Sequence, residues 1–392
     1  MPLSGVLAPK RNMNIQSKLP AVGVTIFTQM TRLANEHDAI NLSQGFPDFD
    51  VDPALIALVE KHMRRGANQY APMQGVQPLR ERIAEKTLEL YGRRYDPETE
   101  ITVTSGATEA LFAAITAAVA PGDEAIVLEP AYDSYVPAIT LCGGVPVYCR
   151  MRHPDYSIDW DMVKDNITPR TRCIILNSPH NPTGAVLSED DLRSLAEIVR
   201  DTDILIVSDE VYEHIVFDGL AHQSMARAEE LARRSFVISS FGKTWHTTGW
   251  KIGYCVAPAV LSEEFRKIHQ YLTFASMTPV QYAYAEFLDN KDSYLALPEF
   301  YEKKRDRFLS LVAPSRFAAI PSRGTYFQML DYSAITDERD VDFARRMTME
   351  HGVAAIPPSV FYHDAADHRV LRFCFAKKDE TLERAAELLC RI

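Results

Sequence analysis

Three turns carry side chains able to do chemistry, and each follows a β-rich run. Ser178-Pro179-His180-Asn181-Pro182-Thr183-Gly184 follows Cys173–Asn177. Asp209-Glu210-Val211-Tyr212 follows Ile204–Ser208, and Phe241-Gly242-Lys243 follows Phe236–Ser240, with Gly249-Trp250-Lys251 close behind. In a parallel α/β sheet, functional groups gather just past the carboxyl ends of the strands. A lysine amine beside a hydroxyl- and glycine-rich turn can condense with a carbonyl next to a phosphate cradle. A carboxylate can pair with a pyridinium nitrogen and keep that ring protonated. Asn and Tyr side chains can both hydrogen-bond a ring phenolate oxygen. Upstream, Thr104-Ser105-Gly106-Ala107-Thr108-Glu109 opens the helical run Ala110–Ala120, and small residues at a helix start expose N–H groups to an anion. Tyr132, after the run Glu124–Leu128, can stack on an aromatic ring. Together these are the parts that a pyridoxal phosphate site needs.

The elements that must position these groups alternate. Glu124–Leu128, Cys173–Asn177, Ile204–Ser208, Phe236–Ser240 and Ile252–Ala257 read as strands, with helical patterns between several of them. Ser188-Glu189-Asp190-Asp191 caps one helix, and Leu192, Leu195, Ile198 and Val199 follow at a helical period. This alternation predicts an α/β fold with a mostly parallel sheet between helices. Runs with almost no polar interruption suit strands covered on both faces. After about residue 290 the texture changes. A charged helix over Pro298–Leu311 leads to strands Arg316–Ile320 and Thr325–Leu330, a helix from Val341, a strand Val370–Ala376 and a last helix. The expected division is an N-terminal segment 1–45 joining a small domain, a large domain 46–290, and a smaller α+β domain 291–392.

Composition narrows the function. The 392 residues are 46% apolar and 24% charged, the balance of a globular chain, and the net charge is −11. So acidic a chain offers no broad basic surface for nucleic acid. Ala110–Ala120, the most apolar stretch, is far shorter than the ~20 residues that cross a bilayer. Residues 1–14 lack the apolar core of an export signal and read as a mobile leader. The six cysteines form no metal spacing, so no metal site is expected, and several sit in apolar runs, which fits a reducing cytoplasm. GxGxxG, Walker A, HExxH and GxSxG motifs are absent.

The sequence resembles the class I aminotransferases among the fold-type-I pyridoxal phosphate enzymes, from about Leu19 to the end. The matching motifs are N-P-T-G at Asn181–Gly184, S-D-E-V-Y at Ser208–Tyr212, S-S-F-G-K at Ser239–Lys243, T-G-W-K-I-G at Thr248–Gly253, and Arg372 within Leu371-Arg372-Phe373. Asn41–Phe49 and Gln69-Tyr70-Ala71-Pro72 look like the kynurenine and methionine aminotransferase branch. The resemblance implies roles. Lys243 would join the cofactor covalently, Asp209 would pair with its ring nitrogen, and Asn181 and Tyr212 would hold its ring oxygen. Tyr132 would stack on the ring, while Ala107, Thr108, Ser240 and Lys251 would hold the phosphate. Many relatives have arginine where this chain has Lys251, which keeps the charge but loses the fork. Tyr70 would reach the phosphate of a partner subunit, which implies a homodimer. Arg372 would clamp the substrate carboxylate, assisted by Asn181 and the Gly45 backbone. Ile26, Phe27 and Tyr70, with Phe361 as a looser candidate, would shape the side-chain pocket.

Taken singly, each signal has a plainer reading. Lys243 could be a solvated loop lysine, Asp209 a helix cap, Asn181–Gly184 a turn, Arg372 an edge-strand ion pair and Tyr132 a core ring. Their order and spacing favour the joint reading: Asn181 to Asp209 is 28 residues, Asp209 to Lys243 is 34, and Lys243 to Lys251 is 8. His180 and His246 receive no role. The expected reaction is transfer of an amino group from methionine, or another apolar or aromatic amino acid, to a 2-oxo acid by a ping-pong route. Kynurenine transamination and β-lysis of cysteine conjugates are the alternatives on the same site. A non-catalytic regulator on this fold is the remote one.

Overall fold

The computed structural model describes residues 15–392; the expected leader at residues 1–14 lies outside them. In chain order the strands are β1 (Ile40–Asn41), β2 (Ile101–Thr104), β3 (Glu124–Glu129), β4 (Val145–Arg150), β5 (Thr171–Asn177), β6 (Leu205–Asp209), β7 (Ser235–Ser240), β8 (Gly253–Val256), β9 (Ala318–Ala319), β10 (Phe327–Asp331), β11 (Val353–Ala354) and β12 (Val370–Cys374). Seven of them form one sheet in the order β2-β8-β7-β6-β5-β3-β4. β3, β4, β5, β6 and β7 pair in parallel, while β8 runs antiparallel to both β2 and β7.

The buried pattern of β3, six residues all inside, follows from cover on both faces. On one face lie helices Gly106–Ala118, Tyr135–Leu141 and Ala259–Leu272, which contribute Ala110, Leu111, Ile115, Ile139 and Phe265 to a compact core. The other face meets helices Gln77–Tyr91, Glu189–Val199 and Thr278–Phe287 in the larger core. Ser188 caps its helix as expected, in a reciprocal pair with Asp191.

Two expected features changed. Ile252–Ala257 contains a strand, but that strand opposes its neighbours, because the chain returns from β7 through short helical turns and no crossover helix. β2 and β4 were not foreseen. β2 has only four residues, and β4 is an edge strand with Pro146 and an exposed first residue, so neither shows a sustained apolar run.

Beyond residue 297 a three-stranded antiparallel sheet, β12-β10-β9, packs with helices Leu297–Val312, Asp340–His351 and Asp379–Leu389. The N-terminal segment meets this part directly. Ile40 pairs with Val353 and Asn41 with Ala354, and the Cys374 N–H donates to the Leu42 carbonyl at 2.8 Å. Residues 42–45 are thereby laid alongside β12, next to Arg372. Among the described residues no helix is long and apolar enough to cross a membrane.

A buried ion pair braces the turn after β6. Glu213 Oε1 lies 2.6 Å from Lys86 Nζ and accepts from the Tyr254 hydroxyl at 2.9 Å, while Tyr91 donates to Oε2 at 2.5 Å. Burial alone would raise the Glu213 pKa, but the Lys86 ammonium and these donors outweigh it and hold the carboxyl far below the usual range. A depressed carboxylate pKa contributes stability above the unfolded value near 4.5, and that stability is lost as pH falls toward the folded value. Lys86→Met strands the Glu213 charge. It should cost about 3–5 kcal/mol of stability at neutral pH and flatten the acid dependence, which thermal melts from neutral pH down to well below the unfolded value would show.

Candidate active site

Three adjacent strands end at one cleft of about 190 Å³. β5 delivers Asn177 to its rim. The Asn177 amide donates to the Asp209 carbonyl at 2.9 Å, and its oxygen accepts from the Asn181 backbone N–H at 2.8 Å. This residue, passed over in the sequence, ties two strand ends together and sets the turn that presents Asn181.

β6 delivers Asp209, which is 4% exposed. Its Oδ2 accepts from the Tyr135 hydroxyl at 2.7 Å and its Oδ1 from the Val211 N–H at 3.3 Å. Burial pushes its pKa up to about 6, with the Tyr135 hydrogen bond pulling the other way. Tyr212 follows one turn on, buried and edge-on to Tyr326.

β7 ends at Ser240, and the one-turn helix Phe241–Thr244 carries Lys243. The Lys243 ammonium donates to the Gly45 carbonyl and to the Tyr326 hydroxyl, each at 3.1 Å. Burial pulls its pKa down to about 8. An amine near that value holds a working neutral fraction at neutral pH, as a proton acceptor requires.

The anion end of the cleft is built by Gly106, Ala107 and Thr108 at the start of helix Gly106–Ala118, facing Ser240, Thr248 and Lys251. Gly106 has φ +75°, and a Cβ there would sit 3.2 Å from the Lys251 Nζ. Glycine therefore permits both the left-handed turn and the close approach of the ammonium. Helix N–H groups and a lysine converge on one space, an arrangement suited to a phosphate.

Behind Asn181, outside the lining of the cleft, Arg372 stands on β12, completely buried. Its two terminal nitrogens donate to Asn181 Oδ1 and to the Ser43 carbonyl, both at 2.7 Å. The guanidinium lies 3.9 Å from the Phe327 ring centre and 5.3 Å from that of Phe27. Its Nε has no partner, and among the described residues no carboxylate pairs with it. The plain reading of an edge-strand ion pair therefore does not hold. Burial lowers its pKa to about 10, which leaves it charged at neutral pH.

The other expected residues fall as follows. Ala107, Thr108, Tyr132, Asn181, Asp209, Tyr212, Ser240, Lys243 and Lys251 all line the one cleft. Gly45, Arg372, Ile26, Phe27 and Tyr70 do not; Tyr70 is 85% exposed, with its ring edge-on to Phe274. Gly45 presents its carbonyl to Lys243, and a Cβ on it would lie 2.8 Å from the Phe327 ring. Phe27 is 6.0 Å from Phe361, whose carbonyl accepts from the Ala131 N–H beside Tyr132. Ile26 is half-buried at the start of helix Ile26–Glu36. His180 is a buried partner of Thr183, and His246 is held neutral by burial, its ring against Phe49. Besides Asn177, the sequence reading missed Tyr135, Tyr326 and the Ser43 carbonyl. Asn177 closes a foreseen strand and Tyr135 lies three residues past Tyr132, so strand-end logic extended by one step reaches both. Nothing local marks Ser43 or Tyr326.

Comparison with known proteins agrees with this geometry. The family pattern for aminotransferase class I and II matches residues 37–389. The chain is 52% identical to the methionine aminotransferase of Escherichia coli (strain K12), over 95% of this chain and 97% of that one. It is 40% identical to a probable N-succinyldiaminopimelate aminotransferase of Mycobacterium tuberculosis, over 95% and 97% of the two chains. The crystal structure of YbdL from Escherichia coli, identified with a methionine aminotransferase function, superposes with a TM-score of 0.95 at 51% identity, covering 97% of this chain and all of that one. The chain belongs to the class I and II aminotransferase family.

Proposed function

We propose that this enzyme binds pyridoxal phosphate and moves the amino group of methionine, and of other apolar or aromatic amino acids, to a 2-oxo acid. One observation carries the reading: a lysine, a buried carboxylate and an anion cradle line a single cleft, and a carboxylate-ready arginine behind it holds the lining residue Asn181. The residues fit the cofactor. A Cβ at Gly106 would press on the Lys251 ammonium at 3.2 Å, so glycine lets that cation sit against the helix start, and the donor set contains one partner for each polar part of the molecule. When bound, pyridoxal phosphate supplies an electron sink for the carbanion formed at the substrate Cα.

The residues of the chain do the rest. Ala107, Thr108, Ser240 and Lys251 would hold the phosphate. Asp209, ionised and oriented by Tyr135, would pair with the ring nitrogen and keep it protonated. Asn181 and Tyr212 would hold the ring oxygen, and Tyr132 would pack on the ring. Arg372, with Asn181 and the Gly45 backbone beside it, fixes the substrate carboxylate and so turns the Cα–H bond toward Lys243. The Lys243 amine would take the Cα proton and return it to the carbon on the far side of the amino nitrogen, and a second 2-oxo acid would reverse the sequence. Tyr70 is exposed on its own subunit and serves the site of a partner in a homodimer of cytoplasmic enzyme. The division at residues 45 and 290 separates the elements that hold the cofactor from those that carry Arg372. The aromatic wall of Phe27, Phe327 and Phe361 beside Arg372, together with the 52% identical methionine aminotransferase, supports an apolar donor.

The test is the visible spectrum of the purified protein, with methionine added and no acceptor present. Methionine should convert the aldehyde form of the cofactor to the amine form, and aspartate should do so far more slowly. Kynurenine run alongside ranks the aromatic donors. A spectrum that no amino acid changes would sink the substrate class. Release of pyruvate from a cysteine conjugate without any 2-oxo acid would put the lyase reading first.

A further inference from the structure

Three polar atoms meet at the tip of Lys243, and one of them belongs to a residue outside the expected set. Lys243 Nζ is 3.1 Å from the Gly45 carbonyl and 3.1 Å from the Tyr326 hydroxyl, and that hydroxyl donates to the same carbonyl at 2.5 Å. The three form a closed triangle. Tyr326 commits its single proton to Gly45, so toward Lys243 its oxygen can only accept. Burial holds the phenol well above its ordinary pKa of 10, so the proton stays in place across the working range. A neutral primary amine has two N–H bonds and one lone pair. With the N–H bonds on Gly45 and Tyr326, the lone pair is the one uncommitted position on the nitrogen.

We propose that Tyr326 is a further catalytic residue: its hydroxyl oxygen, with the Gly45 carbonyl, docks the free Lys243 amine so that its lone pair faces the substrate Cα proton. In that step an N–H bond forms, the Cα–H bond breaks, and the electron pair stays with carbon. The ammonium so formed keeps two hydrogens on its acceptors and holds the transferred proton on the third. Delivery of that proton to the acceptor carbon on the far side of the amino nitrogen restores the amine. Without the Tyr326 oxygen, one N–H bond loses its anchor and the amine rotates about its last carbon bond. The proposal rests on the role given to Lys243 above.

Tyr326 also packs, fully buried, edge-on to Tyr212 and Phe327. Tyr326→Phe keeps that ring and removes only the oxygen. In the holoenzyme, kcat with methionine should fall roughly tenfold, as for the loss of one hydrogen bond to a charged group, with KM within about twofold. The isotope effect with Cα-deuterated methionine should rise, because proton transfer becomes slower relative to the other steps. A second readout uses cofactor-free protein. The pH dependence of Lys243 acetylation by trace acetic anhydride, read by mass spectrometry, should shift to lower pH in the variant, because the lost acceptor favoured the ammonium. Unchanged kcat and isotope effect, an unmoved acetylation midpoint, or a loss of kcat matched by a lower melting temperature would each overturn the proposal. If the parent enzyme itself shows no methionine-driven spectral change, the functional reading fails instead.

Discussion

Lys243→Ala should leave a folded protein that does not turn over, with kcat down by about 10⁴-fold or more. Positioned general bases contribute ~10²–10⁴-fold, and Lys243 is also the proposed covalent anchor of the cofactor, so its removal takes two contributions at once. Stability should change little. The Gly45 carbonyl keeps the Tyr326 hydroxyl as a donor when Lys243 is gone. Loss of activity without loss of fold is the signature to look for. Borohydride treatment followed by peptide mass spectrometry should place the cofactor on Lys243 in the parent chain and nowhere in the variant. The pH dependence follows from burial. With the amine drawn down to about 8, the proton-accepting fraction grows as pH rises through that value. The proton-transfer step, followed in single turnovers, should therefore accelerate between about pH 7 and 9 and level off above. A Lys243→Ala variant retaining even a hundredth of parental turnover would move the base elsewhere.

That Lys243, Asp209 and Asn181 could be read from sequence is a consequence of where they stand. Strands buried on both faces are short apolar runs, and β3, β5, β6 and β7 show as such because the sheet is sandwiched. Chemistry then sits in the next few residues, which is a local pattern. The residues that escaped depend on tertiary meeting. The Tyr326 hydroxyl reaches the Gly45 carbonyl across 281 residues of chain, and Arg372 reaches the Ser43 carbonyl across 329. Both contacts exist because β1 pairs with β11 and draws residues 42–45 over β12. No period or motif encodes that. A carbonyl, moreover, is carried by every residue, so its use cannot be seen in a residue type. The reversal of β8 has a similar origin. Its composition is that of its parallel neighbours, and only the missing crossover helix distinguishes it.

Arg372→Met should separate stability from activity in opposite directions. The guanidinium is a full charge in the interior, with one nitrogen unpartnered and no carboxylate beside it. Its effective burial cost is several kcal/mol. Two hydrogen bonds, to Asn181 and the Ser43 carbonyl, offset part of that, and losing those donors costs about 1–3 kcal/mol. Methionine has nearly the same length and suits the aromatic wall of Phe27 and Phe327. The balance predicts a variant about 1–2 kcal/mol more stable than the parent in the absence of substrate, measured by chemical denaturation. Catalysis should move the other way. The charge gains a carboxylate in direct contact when a substrate arrives, so its absence removes a buried, hydrogen-bonded pair worth ~2–5 kcal/mol. A fall in kcat/KM of about 10³-fold is expected. Arg372→Lys keeps the charge without the two-pronged geometry and should lie between. Ligand linkage supplies the control: a saturating non-reactive carboxylate should raise the melting temperature of the parent and leave Arg372→Met unmoved. If Arg372→Met were instead less stable by several kcal/mol, the arginine would be a structural element of β12, and the strain attributed to an unpaired buried charge would not exist. The predicted outcome makes Arg372 a site whose instability is relieved by the substrate, which is how an enzyme turns binding into orientation.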